Sequence, residues 1–448
     1  MAGPAGPGGG SAASAAGRHP RGRHAPPASG LSALTDEPEI TPLLEPRDGT
    51  PAVIVDADVL ARYADRLRAG TGPLALDAER ASGYRYSQRA YLVQLRRTGA
   101  GTALIDPIAV PDLSPIQAAT EGVEWILHAA TQDLACLAEV GLKPSLLFDT
   151  EHAGRILGRD RVSLGALVAS ELGLGIEKGH GATDWSVRPL SAAQLRYAAL
   201  DVEVLVELRD AMEEQLRDAG KLEFAHEDFA ALVSFVPRER GDEAWRRTSG
   251  IHRLRKPRDL AAVRELWHAR DEIAQRRDIA VGRILPDAAI VAAVQAHPST
   301  IDELSALREF HGRGAQRYLR QWWTALTTAA ALPNSDLPLS ATPPSGPPQP
   351  RVWAERDPVA HARLEAARSG LAELSEEWSI PVENLVTPDA VRRLCWEPPP
   401  QPTPEAVAQT LTALGARPWQ IRLTSPVLIE ALAARPAPPA EAPEVTGE

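Results

Sequence analysis

The chain has 448 residues, 44% hydrophobic, 24% charged and 5% aromatic. That length accommodates about three domains at roughly 150 residues each, and the composition excludes a wholly disordered, fibrous or membrane-embedded protein. Fifty-nine acidic against 48 basic residues give a net charge of -11, which excludes a uniformly basic nucleic-acid coat but leaves room for a local basic surface.

Residues 1–48 are rich in Gly, Pro, Ala and Ser, cannot offset the entropy of ordering, and are expected to form a disordered tail. From Pro51 the texture changes to short apolar runs at 53–55, 74–76, 91–95, 103–105 and 125–127, which predict strands. After Gln132 the apolar period becomes helical, with Leu134, Leu137 and Ala138 on one face and a long helical segment over 191–217. Residues 49–220 therefore read as a mixed α/β domain. Residues 240–331 lack strand-like alternation and read as an all-helical module, followed by a Pro-rich linker at 332–352. A second helical block spans 353–434 and a Pro/Glu-rich tail spans 435–448. Ile279-Ala280-Val281 followed by Pro286-Asp287 is echoed by Ile380-Pro381-Val382 followed by Pro388-Asp389, which suggests a duplicated module.

Three elements carry the chemistry. Leu74-Ala75-Leu76-Asp77-Ala78-Glu79 ends an apolar strand with two acids two residues apart, so both project from one face. A second strand, Glu124 to Leu127, leads through His128 to Asp133 at a helix start. Tyr197 and Asp201 are four residues apart on a helix, so phenol and carboxylate address one point. Singly, each is explained by solvated acids, a helix dipole or an amphipathic face; together and in this order they are an improbable coincidence. Converging carboxylates need divalent cations, and hard oxygen donors suit Mg²⁺ or Mn²⁺. Two such ions serve in-line phosphodiester cleavage, one activating water and one stabilising the leaving 3' oxygen. Tyr197, a poor proton acceptor at neutral pH, is assigned to orienting the attacking group.

At these residues the chain resembles the DEDDy exonucleases and, among them, the bacterial ribonuclease D family. Asp77 and Glu79 match the first motif, Asp133 the second, and Tyr197 with Asp201 the third. Asp184-Trp185-Ser186-Val187-Arg188-Pro189-Leu190 resembles the family's Asp-Trp-x-x-Arg-Pro-Leu segment. The resemblance implies a ribonuclease H-like α/β 3'-5' exonuclease domain, with a mixed sheet flanked by helices, followed by one or two all-α HRDC-like modules. It implies catalytic residues Asp77, Glu79, Asp133, Tyr197 and Asp201, with the four acids as ligands to two divalent ions. It further implies hydrolysis of RNA 3' ends to nucleoside 5'-monophosphates, in tRNA 3' processing or RNA turnover. Two rivals are a DNA 3'-5' exonuclease and an inactive nucleic-acid-binding protein.

The block 266–326 resembles the HRDC module. Residues 238–320 hold 17 basic against 12 acidic residues, so Arg246, Arg247, Arg253, Arg255, Lys256 and Arg258 are candidate phosphate contacts. Arg89, Gln94 and His128 are candidate contacts to the terminal nucleotide. Trp322 and Trp323 are assigned to core packing. His128 and His180 lack companions at ligand spacing, so no zinc site is expected, and Gly312-Arg313-Gly314 does not match a phosphate loop. Cys136 and Cys395 are too few and too distant for a disulfide framework. With no run of about 18 apolar residues and no apolar signal core, a cytoplasmic protein without membrane association is expected; the resemblance implies RNA, with DNA as the alternative, as its partner, and of the oligomeric states, which the sequence does not fix, a monomer is favoured.

Overall fold

The computed structural model describes residues 40–176, 179, 183–237, 241–340 and 346–436. Of the tails expected at 1–48 and 435–448, residues 1–39 and 437–448 lie outside them, as does His180. Residues 40–48, assigned above to the first tail, instead carry β1 (Thr41–Leu43), which pairs in parallel with β8 (Leu174–Ile176). Ion pairs hold this segment down, Arg96 to Asp48 at 3.1 Å and Arg196 to Glu45 at 3.2 Å. Its low apolar content concealed partners supplied by the distant strand and helix.

The amino-terminal half is built on a mixed sheet of six strands: β2 (Val53–Ile54), β3 (Thr71–Arg80), β4 (Ala90–Thr98), β5 (Gly101–Ile105), β6 (Glu124–Leu127) and β7 (Leu146–Asp149). Their order is β2-β5-β4-β3-β6-β7, with β4 antiparallel to both neighbours and the other pairs parallel. β7 was not anticipated, because Leu-Leu-Phe is too short a run to be separated from the helical period around it. One sheet face packs on α1 (Ala57–Ala69), α2 (Ser114–Ala119) and α3 (Leu134–Glu139), through Leu74, Leu76, Val93, Leu95 and Trp125. α1 is started by Asp56, whose carboxylate accepts from the N–H groups of Asp58 and Val59.

The other face receives α4 (Thr150–Ile156), α5 (Leu164–Leu172), α6 (Ala192–Glu203), α7 (Leu205–Asp218) and α8 (Leu222–Val233). The segment expected as one helix over 191–217 breaks at Val204 into α6 and α7. α6 begins with a reciprocal Ser191/Gln194 capping box, and its small Ala198 and Ala199 let it lie close to Leu92 and Leu104 of the sheet. α8, which follows the boundary expected at 220, packs back on the sheet, where Phe229 meets Phe148 of β7 with ring centroids 4.7 Å apart.

The two helical blocks share one plan. In the first, α9 (Pro257–Arg277) is followed by α10 (Val281–Ile284), α11 (Asp287–Ala296), α12 (Ile301–Ala306), α13 (Arg313–Arg317) and α14 (Leu319–Ala331). In the second, α15 (Trp353–Arg356) precedes α16 (Pro358–Trp378), α17 (Val382–Leu385), α18 (Pro388–Trp396), α19 (Pro404–Ala413) and α20 (Pro418–Leu432). α9 and α16 both have 21 residues, both start on proline, and both end at a left-handed residue with φ 48°, Asp278 and Ser379. Trp322 is fully buried in the first module and donates its indole N–H to Ala315 O at 3.0 Å.

The blocks are attached differently. The second shares one apolar core with α4, α5, α7 and α8, including Phe148, Phe224, Phe229, Leu364, Leu385 and Trp419. Phe224 stacks on Trp419 at 4.8 Å, and Asp228 accepts from Trp419 Nε1 at 3.1 Å while pairing with His152 at 2.9 Å. Gly158, at φ +76°, lies against Ser379, and a Cβ there would stand 2.2 Å from Ser379 O. Gly158→Ala is therefore expected to destabilise the protein by about 2 to 4 kcal/mol, combining left-handed backbone strain with overpacking. A urea unfolding midpoint equal to the wild type would show that this contact does not hold the two parts together.

Candidate active site

A cavity of about 560 Å³ opens at the carboxyl end of β3, lined among others by Asp77, Glu79, Arg80, His128, Gln132, Asp133, Glu151, Tyr197 and Asp201. Strand alternation turns Asp77 and Glu79 to the same side, where the i,i+4 face of α6 brings Tyr197 and Asp201. Oxygens of Asp77, Glu79 and Asp201 all lie within 4.8 Å of one another. Asp133 stands in the same cavity wall outside that trio, with Arg80 Nη2 at 3.7 Å. Thus the five residues expected at the site share one cavity, and three of the four acids form its tight cluster.

Asp133 is aimed by a turn that sequence reasoning missed. Ala129 is left-handed at φ 59°, an unfavourable setting for a residue with a Cβ. Asp149, at the end of β7, accepts from Ala129 N–H at 3.1 Å, Ala130 N–H at 2.8 Å and His152 N–H at 3.1 Å. The available signal was an Asp-Thr-Glu helix start behind an apolar run. Tyr197 is backed by Trp185, which is fully buried with its ring centroid 6.3 Å from the phenol. Arg188 ties that segment down, reaching Asp106 at 2.5 Å, Trp185 O at 2.7 Å and Tyr91 O at 2.6 Å.

Electrostatics define the cavity. Burial, then the charges of Asp77, Asp201 and Asp133, push the Glu79 carboxyl up to about 10. Burial also raises Asp77, Asp133 and Asp201, the latter two with a further push from Asp77. Tyr197 is raised well above the usual phenol range, first by burial and then by Asp201, to which its hydroxyl hydrogen-bonds. Burial lowers His128, whose Nδ1 lies 2.9 Å from Thr150 Oγ1.

The candidate substrate contacts divide. His128 lines the cavity. Gln94 does not: it is fully buried in mid-sheet opposite Asp77, because the centre of β4 lies beneath α6. Arg89 is exposed outside the cavity with its guanidinium over Tyr91. Arg246 lies over the Trp245 ring and pairs with Glu243, whereas Arg247, Arg253, Arg255 and Lys256 are exposed. Arg258 is structural, donating to the carbonyls of Ala329 and Leu332 at 3.2 and 2.5 Å, where it closes the end of α14.

A mixed sheet bearing a buried carboxylate cluster and a helix-borne tyrosine defines a 3'-5' exonuclease, a hydrolase of phosphodiester bonds. Residues 51–217 match the family model described as 3'-5' exonuclease, and residues 259–326 match that of the HRDC domain. Residues 346–432, overlapping the block at 353–434 expected as a divergent second HRDC-like module, match one described as 3' to 5' exonuclease C-terminal domain. Ribonuclease D of Acidiphilium cryptum is 33% identical over 315 residues, covering 66% of this chain and 78% of that protein. Ribonuclease D of Cronobacter turicensis is 30% identical over 300 residues, covering 64% and 79%. Among solved structures, a protein from Bifidobacterium adolescentis superposes with a TM-score of 0.82 at 36% identity, covering 88% of this chain and all of that one. Escherichia coli RNase D, described as an exoribonuclease involved in structured RNA processing, gives 0.63 at 26% identity, covering 85% and 98%. The chain belongs to the ribonuclease D family.

The acid cluster has a measurable cost. Glu79 binds a proton more tightly folded than unfolded, where its value is near 4.5. The folded state therefore holds the extra proton, and stability of the metal-free protein falls as pH rises from about 4.5 towards about 10. Glu79→Gln is expected to raise the melting temperature of the metal-free protein at pH 8 and to change it little at pH 4. Equal shifts at both pH values would remove the electrostatic explanation.

Proposed function

We propose that the protein is a metal-dependent 3'-5' exoribonuclease that hydrolyses RNA 3' ends to nucleoside 5'-monophosphates, in tRNA 3' processing or RNA turnover. The observation that carries this reading is the approach of Asp77, Glu79 and Asp201 oxygens within 4.8 Å, with Asp133 in the same wall. The carboxyls raise one another's proton affinity, a concentration of negative charge that a divalent cation offsets, and an all-carboxylate set fits Mg²⁺ or Mn²⁺. Asp77, Glu79, Asp133 and Asp201 would hold two such ions. When bound, the ions supply the positive charge that acidifies the attacking water and neutralises the leaving 3' oxygen.

The remaining roles belong to the chain itself. Tyr197 keeps its proton, since burial and Asp201 both oppose ionisation, so it orients the attacking water by hydrogen bonding and does not take its proton. Trp185 limits the swing of that phenol. Arg80 steadies Asp133 at 3.7 Å and offsets part of the negative charge facing a phosphodiester. His128, neutral through burial, is suited to hydrogen-bond the terminal nucleotide. The exposed Arg247, Arg253, Arg255 and Lys256 supply phosphate contacts on the first helical module.

Asp77→Asn is expected to abolish release of nucleoside monophosphates from 3'-labelled RNA, and EDTA to do the same to the wild type. Tyr197→Phe is expected to lower kcat by about 10², as for loss of a hydrogen bond that positions the attacking water, with RNA affinity nearly unchanged. Activity that survives EDTA or Asp77→Asn would reject the mechanism. Matched DNA strands degraded at the same rate would reject the RNA assignment.

A further inference from the structure

The loop that follows β3 runs from the carboxylate cavity to the first helical module. Arg80 lines the catalytic cavity, and Gly83, three residues on, lines a second one; three residues span at most about 11 Å. This second cavity, about 260 Å³, lies between the loop and the turn around α10. The two walls are fastened together: Ala280 N–H donates to Tyr84 O at 3.0 Å, and Ser87 N–H to Asp278 at 2.9 Å. Tyr86 donates to Asp271 at 2.9 Å.

Each wall contributes an arginine, Arg85 from the loop and Arg283 from the module. Both are anchored through Nε. Arg85 Nε donates to Ser186 Oγ at 2.8 Å, and Arg283 Nε to Gly83 O at 2.8 Å, with its guanidinium over the Tyr84 ring. Neither has an acidic partner among the described residues, and no acid lines the cavity. A guanidinium held by Nε keeps its outer N–H edge available, and that edge matches phosphate bidentately. The nearby acids Asp271 and Asp278 are engaged by Tyr86, Ser87 and Tyr91.

We propose that this junction cavity is a phosphate subsite for the RNA strand whose 3' end occupies the carboxylate cavity. Arg85 and Arg283 grip a backbone phosphate a few nucleotides upstream. The inference rests on the exoribonuclease reading above. It makes the interface between modules part of the substrate track, so affinity depends on strand length: a strand too short to leave the catalytic cavity gains nothing from either arginine.

Equilibrium binding tests it, using fluorescent dodecanucleotide and dinucleotide RNAs on full-length chains made inactive by Asp201→Asn. Adding R85Q or R283Q is expected to weaken dodecamer binding about twentyfold, about 1.8 kcal/mol, within the range for a hydrogen bond to a charged group. It is also expected to reduce the logarithmic salt slope by about 0.7 for the lost phosphate contact, with dinucleotide affinity unchanged. Loss of both affinities together, or of neither, would overturn the subsite. Among the described residues the Arg85 side chain hydrogen-bonds to Ser186 of the catalytic domain and not to the module, so R85Q carries the test if R283Q loosens the module. Failure of the underlying reading shows separately, as inability of the wild-type chain to shorten either RNA.

Discussion

Mutual repulsion of the acids in the cavity is the constraint around which the catalytic half is arranged. Two carboxylates 4 to 5 Å apart repel by on the order of 3 to 4 kcal/mol at an intermediate effective dielectric, and Asp77, Glu79 and Asp201 form a trio within 4.8 Å. Such groups stay together only if their backbones cannot yield. Asp77 and Glu79 sit in the central strand β3, paired with Gln94 and Leu92 of β4, just beyond the stretch where β6 flanks the other edge at Leu74 and Ala75. Asp201 comes from a capped helix laid on that sheet by alanines. Asp133 hangs from a left-handed turn stapled by Asp149. The support lies in the sheet and its caps, outside the carboxylates themselves.

The two helical modules meet the catalytic domain through the same corner of their common plan. In the first, the residue ending α9 and the turn after it, Asp278 and Ala280, bind the loop beyond β3 by hydrogen bonds. In the second, the equivalent Ser379 lies against Gly158 and accepts from Lys221 Nζ at 3.4 Å, with an apolar core around it. Internal chemistry diverges in parallel. Arg270, buried in α9 and paired with Asp287 at 2.6 Å, stands where the second block has Leu371. The first block keeps polar contacts and an exposed basic surface, and the second shares the core of the catalytic domain.

Much of this was legible from residues alone. The strand Leu74 to Glu79 announced itself by alternation and by its two acids, and Tyr197 with Asp201 by helical spacing. The echo at 279–287 and 380–389 is matched by left-handed caps and short helices in both blocks. What escaped depends on contacts between distant positions. β1 exists through pairing with β8, and β7 is too short to show a period. Gln94 was misplaced because its strand position puts it under α6, and Arg258 because charge pattern does not distinguish a helix-closing guanidinium from a solvated one.

The stacked pair of Phe224 and Trp419 bears on what counts as the enzyme. Removing the chain beyond the Pro-rich linker would uncover the flank of α8 and leave Asp228 without its indole donor. The terminal helices are thus an obligate companion of the fold, cemented by shared apolar surface, whereas the first appendage is fastened by a seam of hydrogen bonds.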